Sequence, residues 1–277
     1  MNHPIENPPP PLRPLASTAA GDLVAGLMKY ELWGRIGWLD VKRRYRRTAI
    51  GPFWSSLTLA FYTLSVGLVG AGLFKQDISK YLPYLSSGMI VWTLLSTIIL
   101  ESCTLFVQGN ALFKNVRFEY SILAYALVWR NFLIFCHNMM IFFALVLVLQ
   151  RELLSEMLIF VIPGLFLVLV NGVWIALLVG LLCLRYRDIQ PIVQTLIQIC
   201  MLVTPIFWVA DNLQGTMRFV FVQFNPIYRL IDVVRAPLMG QMPTAATYFA
   251  VGLITVAGWA LTFVMFHRFR KRISYWS

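Results

Sequence analysis

The stretch Val41-Lys-Arg-Arg-Tyr-Arg-Arg-Thr-Ala-Ile-Gly-Pro-Phe-Trp54 decides the fold of this chain. Its five lysines and arginines stand directly before an apolar run at residues 53–73. A helix that crosses a bilayer needs about 20 mostly apolar residues, and dense positive charge beside such a run marks the cytoplasmic side. The stretch therefore predicts a cytosolic N-terminal segment and a first membrane span that begins at Phe53. The alternative, a basic face on a soluble helix, does not fit the apolar runs that follow.

The composition predicts an all-α integral membrane protein. The chain has 277 residues, of which 59% are hydrophobic and 13% are charged, and its mean hydropathy is +0.72. Soluble domains carry about 25% charged residues. The net charge of +11 stands mostly at the ends of apolar runs, where it sets membrane topology, so we expect contact with membrane lipids and no nucleic-acid partner. The four cysteines are isolated, without a CxxC or Cys/His pattern, so we expect neither a disulfide nor a metal site.

The apolar runs predict six transmembrane helices with both termini in the cytosol. This topology places 17 of the 23 lysines and arginines on the cytosolic side and six outside. Residues 1–20 are interpreted as a disordered, proline-rich tail, residues 48–267 as the six-span domain and residues 268–277 as a basic cytosolic tail. The spans are predicted at about residues 53–73, 85–107, 127–149, 158–184, 191–209 and 246–266.

Residues 21–47 predict an amphipathic helix that lies along the cytoplasmic membrane interface. Leu32, Ile36 and Leu39 recur at helical spacing, and the segment carries too many charges to cross a bilayer. The alternative is a surface helix without a partner.

Polar side chains inside the apolar runs need a hydrogen-bond partner or a wet cavity. Gln190, Gln194 and Gln198 recur every four residues, which makes one face of the fifth helix polar. This stripe either lines a polar conduit or hydrogen-bonds a neighbouring helix. For His137, a hydrogen bond between helices is favoured over a proton relay. Arg130 is expected to extend its charge to the inner interface.

The long connection before the last span predicts two short amphipathic helices, at residues 213–224 and 226–240, neither long enough to cross. Arg229, Asp232 and Arg235 are spaced so that neighbouring pairs can form ion pairs along one side of the second helix. We interpret both segments as re-entrant or interfacial half-helices that cap a pathway. A plain structured loop is the alternative.

Several motifs of enzymes are missing from the sequence. It contains no GxxxxGK[ST] phosphate loop, no HExxH, no GxSxG and no close pair of carboxylates. The chain is therefore not expected to be an enzyme or, by itself, a P-loop ATPase, and no cofactor is expected on it.

Three stretches resemble the membrane subunit of type-2 ABC exporters of polysaccharides and polyol phosphates. The first is the basic stretch quoted above, extended to Asp40. The second is Arg185-Tyr-Arg-Asp-Ile-Gln-Pro191, continuing to Thr204-Pro-Ile-Phe-Trp208, and the third is Asn225-Pro-Ile-Tyr-Arg-Leu-Ile-Asp-Val-Val-Arg-Ala-Pro-Leu-Met-Gly240. Lys114-Asn-Val-Arg-Phe118 and Val128-Trp-Arg-Asn131 are most similar to the O-antigen and capsule branch. Glu119 departs from the family, in which many members have proline.

The resemblance implies a homodimer in the bacterial inner (plasma) membrane, with two separate ATPase subunits that bind ATP and Mg²⁺. The cargo it implies is a lipid-linked polysaccharide made in the cytosol. It also implies that residues 23–47 and 110–123 contact the ATPase, and that residues 225–240 form outer gate helices. The ATPase-contact residues would be Leu32, Ile36, Asn110, Lys114 and Arg117, and the gate residues Asn225, Pro226, Arg229, Asp232, Arg235 and Pro237.

Two further sets of residues suit such a cargo. Aromatic rings pack on sugar faces, so Trp54, Tyr62 and Trp208, with Gln194 and Gln198, are candidates for lining the path. Guanidinium groups at headgroup depth can hold a pyrophosphate; the candidates are Arg43, Arg44, Arg46 and Arg47, although membrane topology alone also accounts for them.

Two other functions remain open from the sequence. One is a permease of the same architecture for a small lipid or a drug. The other is a membrane enzyme that acts on polyprenyl-linked sugars, although the sequence lacks the acidic cluster that a metal-bound sugar nucleotide needs.

Overall fold

A computed structural model describes residues 18–46, 51, 53–113, 119–209 and 215–276, and all of its regular structure is helical. The all-α prediction is confirmed. Short 3₁₀ turns cover Arg151–Leu153, Glu156–Phe160 and Arg270–Arg272, and a π turn covers Phe219–Gln223. The α-helices are α1 (Ala19–Met28), α2 (Tyr30–Tyr45), α3 (Phe53–Phe74), α4 (Ile78–Ser102), α5 (Leu105–Phe113), α6 (Ser121–Leu149), α7 (Val161–Arg185), α8 (Ile189–Val203), α9 (Gly215–Arg218), α10 (Pro226–Leu238), α11 (Ala245–Phe269) and α12 (Ile273–Trp276).

Among the described residues, five helices are long and apolar enough to cross a membrane: α3, α4, α6, α7 and α11. The fifth predicted span corresponds to α8, which has 15 residues. At 1.5 Å per residue such a helix is about 22 Å long, less than the hydrocarbon core of about 30 Å. The count of six spans therefore stays a prediction.

Two of the long helices begin earlier than the sequence predicts. α4 starts at Ile78 and contains Pro83, and the carboxylate of Asp77 caps it by accepting a hydrogen bond from the Ser79 amide at 3.0 Å. α6 starts at Ser121, not near residue 127. In both cases the extra turns are less apolar than the rest but pack against neighbouring helices.

The single helix predicted at residues 21–47 is two helices. The helix is interrupted at Lys29, between α1 and α2, and both helices pack on α6. The contact of α2 with α6 is close, because a Cβ on Gly37 would lie 2.9 Å from the carbonyl oxygen of Ala126. The segment is thus a fixed part of the helix bundle, not a surface helix without a partner.

α4 lies at the centre of the bundle, with α3, α6, α7 and α10 packed around it. α10 packs against α4, α7 and α11 as well. Its backbone approaches α7 so closely that a Cβ on Gly164 would lie 2.4 Å from the carbonyl oxygen of Val233. We call the end of the bundle formed by α1, α2 and the Arg270–Arg272 turn the basic end, and the end that holds α10 the opposite end.

α8 differs from the other long helices because no residue in it is buried. Its apolar side chains Ile192, Leu196 and Leu202 are more than half exposed. Gln194 and Gln198 are exposed as well. One side of α8 is therefore left uncovered by the rest of the described chain.

Candidate functional site

A network of charged side chains joins α2, α4 and α6 at the basic end. Its centre is Glu101, in the last turn of α4. The Glu101 carboxylate accepts a hydrogen bond from Arg44, another from Arg130 at 2.6 Å and a third from the Asn131 side-chain amide at 2.8 Å. Arg130 also donates to Asp40 at 3.0 Å. We call these five residues the Glu101 hub.

The helical repeat brings the hub residues together. Asp40 and Arg44 are four residues apart, so they lie on the same side of α2. Arg130 is largely withdrawn from solvent and engages one carboxylate on each of two other helices; its expected position at the inner interface stays a prediction. Buried charges are tolerated when they are paired and hydrogen-bonded. The hub therefore holds α2 against α4 and α6 through ion pairs. Sliding of α2 along either helix would break these pairs.

The hub raises the pKa of Arg44. Burial of its guanidinium alone would lower the pKa, but the hydrogen bond and charge of Glu101 outweigh that effect and hold the pKa of Arg44 above its ordinary value. Arg44 is therefore a cation that already forms an ion pair with the Glu101 carboxylate.

A cavity of about 360 Å³ opens beside the hub. Its lining mixes charged groups with aliphatic side chains from α2, α4, α5 and α6, which suits contact with an amphipathic protein segment. The residues that line it are Ile36, Leu39, Asp40, Arg43, Glu101, Leu105, Gln108, Gly109, Leu123, Ala126, Leu127 and Arg130.

The predicted ATPase-contact and pyrophosphate residues fall in different surroundings. Ile36 lines the cavity and Leu32 is exposed nearby on α2. Arg43 is 78% exposed and lies 3.8 Å from Asp40, and Arg46 is exposed. The remaining members of these two sets lie outside the described residues or side chains: Arg47, Asn110, Lys114 and Arg117.

At the opposite end, Arg235 of α10 is buried in an aromatic cage. Its guanidinium carbon lies 4.6 Å from the centre of the Tyr84 ring and 5.3 Å from that of Tyr228, and its Nη1 donates to the Pro205 carbonyl at 2.7 Å. Tyr81 also donates, to the carbonyl of Phe207. These contacts hold the segment that directly follows α8. The C-terminal end of α8 is therefore fixed, although the helix itself has no buried residue.

The ion pairs predicted along α10 are not formed. Arg229 and Asp232 both hydrogen-bond the Thr247 hydroxyl, at 3.1 and 3.0 Å, and no ion pair joins either to the other or to Arg235. The helical repeat allows such pairs, but packing of α10 directs these side chains to α11 and α4 instead.

The prolines and the asparagine of the predicted gate have structural roles in α10. Asn225 caps the helix by accepting hydrogen bonds from the amides of Ile227 and Tyr228, and its side chain donates to Thr204 at 3.1 Å. Pro226 occupies the first turn, where its missing amide hydrogen costs nothing. Pro237 lies buried in the last turn.

The five predicted path residues are partly brought together. Tyr62 of α3 lies next to Phe207, with ring centres 6.5 Å apart, and Trp208 follows Phe207 in the chain. Trp208 is half-buried and packs edge-on against Phe221. Gln194 and Gln198 are exposed on α8, and Trp54 is exposed at the start of α3. Tyr62 and Trp208 therefore meet through Phe207, while Trp54 lies nearer the basic end.

Three polar side chains inside the apolar helices, His137, Asn138 and Asn171, have hydrogen-bond partners, whereas the buried Thr63 hydroxyl has none in the described structure. His137 hydrogen-bonds the carbonyl of Leu133 in its own helix, at 2.7 Å, so the predicted bond between helices is wrong. Asn138 instead joins α6 to α3 through Ser56, at 2.9 Å. Asn171 joins α7 to α11 through Thr255, at 2.8 Å. Across the described part of the chain, no group of three or more metal-ligating side chains is found.

The comparison with known families decides the class. The family model described as "ABC-2 type transporter" matches residues 31–239, about three quarters of the chain. The chain belongs to this family. It is accordingly a multi-pass membrane subunit of an ABC transporter, not an enzyme, and works with a separate ABC ATPase subunit.

A curated relative is consistent with this class. The chain is similar to the O-antigen export system permease protein RfbA of Myxococcus xanthus, with 21% identity over 219 residues. The match covers 78% of this ABC-2 chain and 84% of the relative.

Sequence reasoning missed two arrangements in this ABC-2 subunit. It left Glu101 without a partner and assigned Arg235 to an ion pair. The available signal was the position of both charges beside or within apolar segments, which required them to be paired. Their partners lie on other helices and leave no local pattern.

Proposed function

We propose that this chain is the permease half of a homodimeric exporter that moves a lipid-linked polysaccharide, of the O-antigen or capsule type, out across the bacterial inner membrane. The observation that carries the cargo is the similarity to the O-antigen export permease over most of both chains. The two ATPase subunits bind ATP and Mg²⁺ at the cytosolic side, where both termini of this chain lie.

The cavity beside the Glu101 hub is the proposed receiving site for the ATPase. It lies next to α2 and α5, and its mixed charged and aliphatic lining fits a short amphipathic segment. A motion imposed there reaches α4 and α6 directly, because Glu101 and Arg130 belong to those helices. Such contact is needed, since an energy source changes a conformation only if it interacts differently with the two states.

The proposed path runs along the uncovered side of α8, with α3 beside it. Exposed glutamines and the Tyr62–Phe207–Trp208 group supply hydrogen bonds and flat apolar faces of the kind that sugars contact. A second copy of the chain closes the path from the other side. α10 and its Arg235 cage form the outer gate that holds the end of α8.

The pyrophosphate of the lipid carrier is proposed to contact Arg43 and Arg46. Both are exposed beside the start of the first span. Arg43 and Arg46 are favoured over Arg44 in this proposal because the Arg44 guanidinium is already paired with Glu101. Two exposed guanidinium groups suffice for bidentate hydrogen bonds to one pyrophosphate.

Deletion and reconstitution test the proposal. A strain that lacks this chain should accumulate the lipid-linked glycan on the cytoplasmic side, and the intact gene should restore export. The purified complex with its ATPase, in proteoliposomes, should move the glycan only with ATP. Normal glycan export in the deletion strain, together with altered efflux of a small lipid or drug, would replace the cargo and keep the ABC-2 class. Turnover of a polyprenyl-linked sugar by the purified chain alone would contradict the transporter assignment.

A further inference from the structure

α1 is fastened to the first turn of α6 by one buried carboxylate. Asp22 is fully buried and accepts hydrogen bonds from the backbone amides of Ser121, at 3.1 Å, and Tyr120, at 3.4 Å. The Ser121 hydroxyl donates in return to the carbonyl of Asp22 at 2.8 Å. The contact leaves no spare room, because a Cβ on Gly26 would lie 2.1 Å from the Ser121 hydroxyl. Asp22 thus caps α6 from a different helix.

The same carboxylate reaches the end of the chain. Arg270, in the turn after α11, donates to Asp22 at 3.1 Å, and both side chains are at least 96% buried. The two residues are separated by 248 positions in sequence. The Asp22 carboxylate therefore joins α1, the start of α6 and the turn that follows α11.

A second ion pair lies next to the first. Lys29, at the break between α1 and α2, donates to both carboxylate oxygens of Glu119, at 2.8 and 2.7 Å. Glu119 is 4% exposed, whereas Lys29 is 41% exposed. A buried carboxylate tied by both oxygens restrains position strongly.

The α1–α2 segment is therefore attached to α6 at two places. The first is the pair of ion pairs at α6's first turn, and the second is the hub at Arg130. Arg130 follows Ser121 by nine positions, which separates the two attachments by about 13 Å along α6. Because each attachment contains at least one largely buried charged group, relative sliding of the two helices would unpair a buried charge. The segment and the inner half of α6 thus move as one body.

We propose that Asp22–Arg270 and Lys29–Glu119 form a clamp that positions the first turn of α6 for the ATPase subunit, so that displacement of α1 and α2 is delivered to α6 without loss. The clamp residues are positioning residues. The inference rests on the proposed function, since it specifies how a conformational change of the ATPase is transmitted to this subunit.

Charge reversal of the more exposed ion pair tests the clamp in the full complex with the ATPase. Because Lys29 and Glu119 lie in segments expected to contact the ATPase, export by Lys29→Glu and Glu119→Lys is compared only after normalising to the amount of bound ATPase and to its ATP hydrolysis. Glycan exported per ATP hydrolysed should fall about fivefold or more, the lower end of typical coupling effects. The double reversal should restore most of the loss, because the pair re-forms with opposite polarity. Lys80→Glu and Glu152→Lys, both at exposed positions, are the matched controls and should behave as wild type.

A milder variant keeps the test decisive if Glu119→Lys does not accumulate. Lys29→Gln removes one charge at a partly exposed site, and should uncouple transport in the same direction at normal subunit abundance. Wild-type export by Lys29→Gln would overturn the clamp. So would a loss that tracks subunit abundance, or a double reversal that recovers nothing.

A cargo-independent measurement separates the clamp from the proposed function. Hydrogen exchange of the Tyr120 and Ser121 amides should change when the ATPase binds ATP in the wild-type complex, and this change should be lost in Lys29→Gln. If the wild type moves no glycan but shows the exchange change, and Lys29→Gln loses it, the cargo is wrong and the clamp holds. If glycan moves but the exchange change is identical in Lys29→Gln, the clamp is wrong.

Discussion

Neutralising Glu101 is the sharpest test of the hub. In Glu101→Gln the side chain keeps its shape and can still bond to Asn131, but Arg44 and Arg130 lose their shared counter-charge. The Glu101 side chain is 20% exposed and that of Arg130 is 15% exposed, so neither charge is well solvated. Arg130 keeps Asp40 as its second partner.

The expected cost follows from this geometry. Removing one partner of a fully buried ion pair costs about 3–5 kcal/mol, whereas exposed pairs contribute about 0–1 kcal/mol. The hub lies between these limits because its residues are partly exposed and Asp40 remains. We expect Glu101→Gln to lower the free energy of unfolding by about 2–3 kcal/mol.

The assay is reversible unfolding of the purified chain in mixed micelles, followed by circular dichroism. A double-mutant cycle with Arg130→Gln should give a coupling energy of about 1–2 kcal/mol. Glu152→Gln, at an exposed carboxylate, is the control and should change stability by less than about 0.5 kcal/mol. If Glu101→Gln costs no more than Glu152→Gln, or if its effect and that of Arg130→Gln simply add, the hub does not hold α4 to α6.

Three further predictions test other parts of the structure. Gly164→Ala should lower the free energy of unfolding by about 1–3 kcal/mol, because its Cβ would collide with the α10 backbone. Gly252→Ala, where a Cβ meets nothing within 4 Å, should be neutral or stabilising in the same titration, and equal effects would contradict the close packing of α7 and α10. Arg235→Lys keeps the charge but loses ring stacking and should cost about 2 kcal/mol by the same measurement; a change below about 0.5 kcal/mol would show that the cage contributes little. If α8 crosses the bilayer, Arg187→Cys should react with an impermeant maleimide only from the cytosolic side and Gln241→Cys only from outside, and labelling of both from one side would rule out the sixth span.

Local sequence patterns were sufficient for the class of fold and for some elements. α3 begins at Phe53, as the junction of charge and apolar run predicts, and α10 begins at Pro226, where Asn225 and the proline signal a helix start. The length of an apolar run and the side on which its cations stand are properties of neighbouring residues, so they are visible without a structure. The resemblance that led to the family likewise rested on contiguous stretches.

The tertiary structure alone decided the partners of the charges. Arg44 meets Glu101 57 residues away, Lys29 meets Glu119 90 residues away, and Asp22 meets Arg270 248 residues away. The ion pairs predicted from helical spacing along α10 were wrong for the same reason. In a low-dielectric bundle each charge needs a close partner, but which partner it finds depends on how helices from distant parts of the chain cross, and no local pattern records that.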